Sequence, residues 1–265
     1  MVAASTQMTS YDAFFGGLAQ KKQGVLLLDY DGTIAPFCND RMRAVPYPAI
    51  PDIIESVRST ANTRVVVVSG RRATEVRKLL GMNPSPEIWG VHGLERLNPD
   101  CSYQISDFSS HLQDALLEAS AWLEEEGLDQ YIEFKPGALA VHWRGLDQKV
   151  RDEIRARSLR VFTAMKSEYQ FFMAEFDGGL ELRVPGSNKG TAVRRILEEI
   201  QTDVPVAYLG DDFTDEDAFK ALRGRALTVL VRKEYRPTSA EVWLTPPTQL
   251  IQFLHDWVRV CGGEL

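Results

Sequence analysis

Two acids stand one residue apart at the end of an apolar run, Val25-Leu26-Leu27-Leu28-Asp29-Tyr30-Asp31-Gly32-Thr33. In an extended chain, side chains at i and i+2 point to the same side. A strand running on into Asp31 therefore turns Asp29 and Asp31 one way and Tyr30 the other. Carboxylates so placed repel, and each raises the other's pKa unless a cation intervenes. A solvated acidic turn is the plain alternative. Three more clusters carry comparable chemistry. Ser69-Gly70-Arg71 ends a β-branched run. A hydroxyl beside the free amides of a helix start makes an anion site, although a simple N-cap accounts for the same residues. Lys189 opens an expected helix in Gly186-Ser187-Asn188-Lys189-Gly190-Thr191. That is the wrong helix end for a cation, which points to an anionic partner, with a solvated lysine as the alternative. The spacing of a nucleotide-binding phosphate loop is absent. Gly210-Asp211-Asp212, followed one turn later by Asp215, adds carboxylates that suit either helix capping or a hard cation with oxygen ligands, usually Mg2+.

These groups need elements that bring them to one place. Apolar and β-branched runs predict strands at 25–29, 64–69, 87–91, 204–209, 226–231 and 241–244. Helices are expected to begin at Pro51, which suits a first helical position, and to cover 72–80, 188–200, 215–222 and 246–260. Strand alternating with helix indicates a parallel α/β sheet, and ligands bind beyond the carboxyl ends of such strands. Asp29/Asp31, Ser69 and Asp211/Asp212 all fall at strand ends, so a parallel sheet sets them on one rim. The middle third breaks the rhythm. Helices at 110–126 and 147–166 alternate with strand pairs at 131–134 and 138–144, and at 169–175 and 179–184, the last pair turning at Asp177-Gly178. The expected organisation is a core of residues 1–105 and 185–265, interrupted by an α+β module at 106–184.

The whole chain narrows the class. It has 265 residues, 44% of them hydrophobic, enough for one large or two modest domains. A net charge of −7 argues against general nucleic-acid or anionic-membrane binding. Cys38, Cys101 and Cys261 are odd in number and spaced for neither a zinc site nor a disulfide framework, which leads us to expect a reducing, cytoplasmic setting. No apolar run approaches the roughly 20 residues of a membrane span. The first ten residues show no signal pattern.

Taken together, the clusters resemble the haloacid dehalogenase (HAD) superfamily of phosphatases. Asp29-Tyr30-Asp31-Gly32-Thr33, Ser69, Lys189 and Gly210-Asp211-Asp212 follow its four motifs in order. The resemblance implies a doubly wound parallel-sheet core of the HAD type, with the middle third as its cap. The sequence is more closely similar to trehalose-6-phosphate phosphatases. Asp29–Pro36, Val68-Ser69-Gly70-Arg71, Gly90-Val91-His92-Gly93-Leu94-Glu95 and Gly210–Phe219 carry that likeness in the core. Ala140-Val141-His142-Trp143-Arg144 and Leu180-Glu181-Leu182-Arg183 carry it in the cap. One departure stands out: the family often has a lysine a few residues before the second glutamate, and here Asp177-Gly178-Gly179 fills that turn.

The resemblance implies roles. Asp29 is the nucleophile and Asp31 the proton carrier, with Ser69 and Lys189 on the phosphoryl oxygens. Mg2+ is expected on Asp29, the Asp31 carbonyl and Asp211, with Asp212 or Asp215 supporting. Thr33, Gly70, Arg71 and His92 are expected near the substrate, although His92, like Glu95, suits a structural part equally well. Glu133, Arg144 and Glu181 are candidate sugar ligands. The expected partner is a phosphorylated disaccharide acted on by a monomer. The rivals are a phosphatase for sucrose, glucosylglycerol or mannosylglycerate phosphates, a receiver module, and an inactive sugar-phosphate sensor. A receiver needs no acid two residues after its nucleophile and no inserted third.

Overall fold

In a computed structural model, residues 2–38, 40–60, 62–176 and 178–262 are described. The chain opens with α1 (Val2–Lys21), β1 (Gly24–Leu28), α2 (Ile50–Thr60), β2 (Thr63–Val68), α3 (Ala73–Leu80), β3 (Glu87–Gly90), β4 (Glu95–Leu97) and β5 (Tyr103–Ile105). The middle holds α4 (Ser110–Glu125), β6 (Ile132–Lys135), β7 (Ala138–His142), α5 (Gln148–Tyr169), β8 (Phe172–Phe176) and β9 (Gly179–Arg183). Then come α6 (Lys189–Glu198), β10 (Val206–Gly210), α7 (Glu216–Leu222), β11 (Leu227–Val231), β12 (Val242–Leu244) and α8 (Thr248–Val260). The chain divides into two compact units, residues 1–103 with 188–265, and 104–187.

The first unit is built on a sheet of order β12-β11-β10-β1-β2-β3-β4-β5. The five pairings from β12 to β3 are parallel. β1 is central and buried along its whole length, which is why it reads as an unbroken apolar run. Alternation along the strands divides the core. Leu26, Leu28, Val65, Val67, Ala207 and Leu209 pack with α2, α3 and α8. Val25, Leu27, Val66, Val68, Val206 and Tyr208 pack with α6 and α7. Both faces are thus covered, as a parallel sheet requires. On the α8 side, Trp257 is fully buried and its indole N–H donates to Thr63 Oγ1 at 3.0 Å. Removing that ring is expected to cost about 3–5 kcal/mol.

The second unit is an antiparallel sheet of order β6-β7-β9-β8 with α4 and α5 packed on it. Its register sets Leu139 opposite Leu182 and Val141 opposite Leu180, an apolar face. Ala140 lies opposite both Glu133 and Glu181, and Ala138 opposite both Lys135 and Arg183. The charged residues therefore share the other face, beside two alanines that leave room for them.

Several boundaries differ from expectation for physical reasons. α2 begins at Ile50, one residue before Pro51, and a proline in the first turn still forfeits no helical hydrogen bond. α5 runs on to Tyr169 and closes on Gln170 in a left-handed conformation, so the following strand begins at Phe172 rather than at 169. β4 pairs antiparallel with β3, and β5 extends the same sheet; neither was anticipated. The expected turn residue Asp177 lies outside the described residues. Among the described residues, no helix is long and apolar enough to cross a membrane.

Candidate active site

Asp29 is the first residue beyond β1, and its N–H continues the ladder to the Leu209 carbonyl at 2.8 Å. Its carboxylate is buried. One oxygen accepts Lys189 Nζ at 2.5 Å and the other accepts the Thr33 hydroxyl at 3.2 Å. Lys189 is the first residue of α6, capped by Asn188, whose side chain accepts the Thr191 N–H at 2.8 Å. The same ammonium donates to Asp215 Oδ1 at 2.8 Å. Asp215 also accepts the Tyr208 hydroxyl at 2.5 Å, and its second oxygen takes the N–H groups of Asp211 and Asp212 at 3.1 and 3.0 Å. The α6 start is wedged into place. A Cβ on Gly93 would come within 2.7 Å of the Ala192 Cβ, and one on Gly190 within 2.6 Å of the Asp217 carbonyl.

Asp29, Asp211 and Asp215 are all buried, with one oxygen of each within 4.8 Å of the others. Three carboxylates face one ammonium. Burial pushes the Asp29 carboxyl up to about 7, Asp215 adds to the rise, and Lys189 opposes it. Asp211 is also raised well above the carboxylate range, by burial and then by Asp29 and Asp215. Burial alone would lower Lys189, but Asp215 and Asp29 outweigh it and hold the ammonium charged. Asp211 Oδ1 is buried with no hydrogen-bond partner. An orphaned oxygen, three acids set against one ammonium and an all-oxygen donor set fit a hard divalent cation.

Asp31 and Asp212 lie outside this cluster. β1 ends at Leu28, so strand alternation does not carry through to Asp31. The backbone turns instead, with the Ile34 and Ala35 N–H groups donating to the Tyr30 carbonyl and Gly32 at a φ of 80°. The Asp31 side chain is gripped by Arg71, with Nε to Oδ2 at 2.6 Å and Nη2 to Oδ1 at 2.7 Å. Asp212 caps the turn that leads into α7. Arg71 stood among the expected substrate ligands. Here its guanidinium is engaged by Asp31, by Glu75 and by the Arg41 carbonyl at 2.9 Å.

Ser69 is buried and its hydroxyl accepts the Arg71 N–H at 3.1 Å. Gly70 leaves space for the His92 ring: a Cβ there would lie 2.7 Å from Nε2. Val91 and His92 have φ of 47° and 53°, an unusual pair for non-glycine residues. The turn is stitched to the Ser69 loop by the Val91 N–H to the Arg71 carbonyl at 2.8 Å and the His92 N–H to the Ser69 carbonyl at 2.9 Å. Glu95 is fully buried and accepts the Ala73 N–H at 2.6 Å and the Tyr103 hydroxyl at 2.8 Å, bonds that secure the start of α3.

In the second unit, Glu133 and Glu181 are joined through Lys135. Its ammonium is 2.5 Å from Glu181 and 3.7 Å from Glu133. Glu133 also meets His142 Nε2 at 2.7 Å. Arg183 lies 3.6 Å from Glu181, with its guanidinium 4.8 Å from the Phe172 ring centre. Arg144 packs over Gly178, where a Cβ would come 2.6 Å from its own. Reading the sequence passed over Lys135 and Tyr208. The available signals were the two-residue spacing from Glu133, and a tyrosine within an otherwise apolar strand.

The trehalose-phosphatase family model matches residues 27–244. The chain is 31% identical over 268 residues to the probable trehalose-phosphate phosphatase 4 of Oryza sativa subsp. japonica, spanning 92% of this chain and 70% of that protein. Among solved structures, the trehalose-6-phosphate phosphatase of Aspergillus fumigatus superposes with a TM-score of 0.67 at 22% identity, over 94% of this chain and 97% of that one. A phosphatase of the haloalkanoate (HAD) enzyme superfamily from Bacteroides thetaiotaomicron superposes with a TM-score of 0.61 at 14% identity, over 89% and 95%. The two structures show the HAD fold. The family match covers the strand ends that carry Asp29, Ser69 and Asp211 as well as the charged face of the second sheet, and the chain belongs to the trehalose-phosphatase family.

Proposed function

We propose that this protein hydrolyses trehalose 6-phosphate to trehalose and phosphate with the aid of Mg2+. The observation that carries the chemistry is the buried Lys189–Asp29 contact beside two further acids. The substrate's identity rests on the family.

Asp29 attacks phosphorus, forming an Asp29–phosphorus bond as the phosphorus–sugar oxygen bond breaks. Asp31 gives its proton to the departing sugar oxygen and then takes one from the water that releases phosphate and restores Asp29. Arg71 orients Asp31 by holding both of its oxygens, and one of those bonds is released when Asp31 carries the proton. Lys189 and Ser69 hold phosphoryl oxygens. Asp29, Asp211 and the Asp31 carbonyl would hold the Mg2+, with Asp215 supporting, and the ion would offset repulsion between nucleophile and phosphate. Residues 106–184 are read as the cap, with Glu133, Arg144 and Glu181 as sugar ligands. Lys135 brings a lysine to Glu181 where the preceding turn has none. A reducing, cytoplasmic setting is read from the odd number and the spacing of Cys38, Cys101 and Cys261 in the sequence.

The test is phosphate release from trehalose 6-phosphate, sucrose 6-phosphate and glucosylglycerol phosphate, with Mg2+ and after chelation. Trehalose 6-phosphate should have the highest kcat/KM, chelation should abolish turnover, and Mg2+ should restore it. Preference for another phosphosugar would overturn the substrate, and full activity in chelator would overturn the metal.

A further inference from the structure

Arg236 reaches the acid cluster from the loop between β11 and β12, which carries none of the site's motifs. Its Nη2 donates to the Asp212 carbonyl at 2.7 Å and to the Asp211 carbonyl at 3.4 Å. Its Nη1 donates to Glu216 Oε1 at 2.6 Å and to the Pro237 carbonyl at 3.0 Å. Glu216 also accepts the Thr238 hydroxyl at 2.7 Å and the Ser239 N–H at 2.8 Å, lacing the loop to the first turn of α7. A second arginine, Arg232, lies 3.4 Å from the Asp211 carbonyl. Arg236 is 8% exposed, and its guanidinium lies 4.7 Å from the ring centre of Phe213, whose own side chain is largely open to solvent.

The bonds around residues 211 and 212 are complete on the backbone and on the capping side chain of Asp212, and one oxygen of Asp211 is left over. Asp215 holds the two N–H groups and Arg236 holds the two carbonyls. Asp211 Oδ1 has no partner of its own, so its aim is inherited from that backbone. Glu216 balances the arginine's charge. Arg236 therefore acts on the cluster through geometry more than through repulsion of a cation.

We propose that Arg236 is a positioning residue for the divalent cation, holding the 211–212 backbone so that the Asp211 carboxylate faces the ion. This rests on the metal reading above and extends it to a residue that touches neither ion nor substrate. Partners bonded directly to a ligating side chain are typically worth about 10–100-fold in metal affinity, and a residue that holds the ligand's backbone is expected at the low end of that range.

The test is Mn2+ binding to the free 265-residue chain, followed by electron paramagnetic resonance without substrate. Arg236→Met should raise the Mn2+ dissociation constant about tenfold. The metal concentration needed for half-maximal phosphatase activity should rise in step, while KM for trehalose 6-phosphate at saturating Mg2+ stays within about twofold. Arg236→Lys keeps the charge and loses the fork, so it should weaken Mn2+ binding as well. Should Arg236→Met fail to fold, Arg236→Lys decides by the same measure. A purely structural arginine would lower thermal stability and leave Mn2+ affinity unchanged, and that result overturns the proposal. A wild-type chain that binds no Mn2+ brings down the metal reading and this inference together. Tight wild-type binding matched by the variants brings down the inference alone.

Discussion

Each unit of the molecule contains a buried lysine bridging two acids, and the two bridges are built differently. Lys189 lies among Asp29, Asp215 and the nearby Asp211, all buried, so its surroundings are closed and too negative. Lys135 lies between Glu181, which is buried, and Glu133, which is 19% exposed and shared with the 28%-exposed His142. The first arrangement is short of positive charge, which a bound cation or a proton relieves. The second alternates in sign along the sheet face and opens to water at one end. The partly exposed Glu133–His142 end is where a protein partner can be exchanged for a hydroxyl group, whereas the Lys135–Glu181 pair is buried and costly to separate. An imbalanced, enclosed cluster suits phosphorus chemistry, and a balanced, half-open one suits recognition of a neutral sugar.

Mutations can break that contrast. The largest effect is expected from Asp29→Asn, which should lower kcat by about 10³-fold or more on every phosphate ester while circular dichroism stays native. Near-normal turnover would remove Asp29 as nucleophile. Next comes Arg71→Met, which frees Asp31 from its two-point grip. It should lower kcat for trehalose 6-phosphate by about 10²-fold, and less for p-nitrophenyl phosphate, whose leaving group needs no proton. Equal losses on both substrates would return Arg71 to substrate binding. In the second unit, Glu181→Gln should raise KM for trehalose 6-phosphate about tenfold, the worth of one charged hydrogen bond, and leave p-nitrophenyl phosphate untouched. A matching loss on both would erase the division between chemistry and recognition. The smallest effect belongs to Arg155→Ala. Arg155 and Glu175 pair at 2.7 Å with both side chains nearly half exposed, and solvent screens such pairs. Activity and melting temperature should both match wild type. A marked change in either would mean that exposed charge in this unit matters as much as buried charge.

What could be read from the residues themselves follows the reach of each interaction. The strands from β1 to β3 and β10 to β12 announce themselves by apolar runs, and the groups at their ends by sequence position alone. β4 and β5 are three residues each, too short for any period to show. The alternation that would set Asp31 beside Asp29 needs a strand running on to Asp31, but β1 stops at Leu28 and the turn aims that carboxylate at Arg71, 40 residues away. Lys135 and Arg236 take their meaning from partners brought close by folding, Glu181 in one case and the Asp212 carbonyl in the other. Glu95 looked equally fit for site or scaffold, and only its bonds to Ala73 and Tyr103 show what it holds.

The two glycines that flank the start of α6 have a mechanical consequence. Gly93 and Gly190 leave gaps into which Ala192 and the Asp217 carbonyl fit, so the first turn is seated against main chain on both contacts. A methyl group at either gap would act as a shim. It would tilt the helix and carry the Lys189 ammonium off its mark without altering a single charged residue. The position of the Lys189 charge is thus held to tolerance by two residues that carry no side chain.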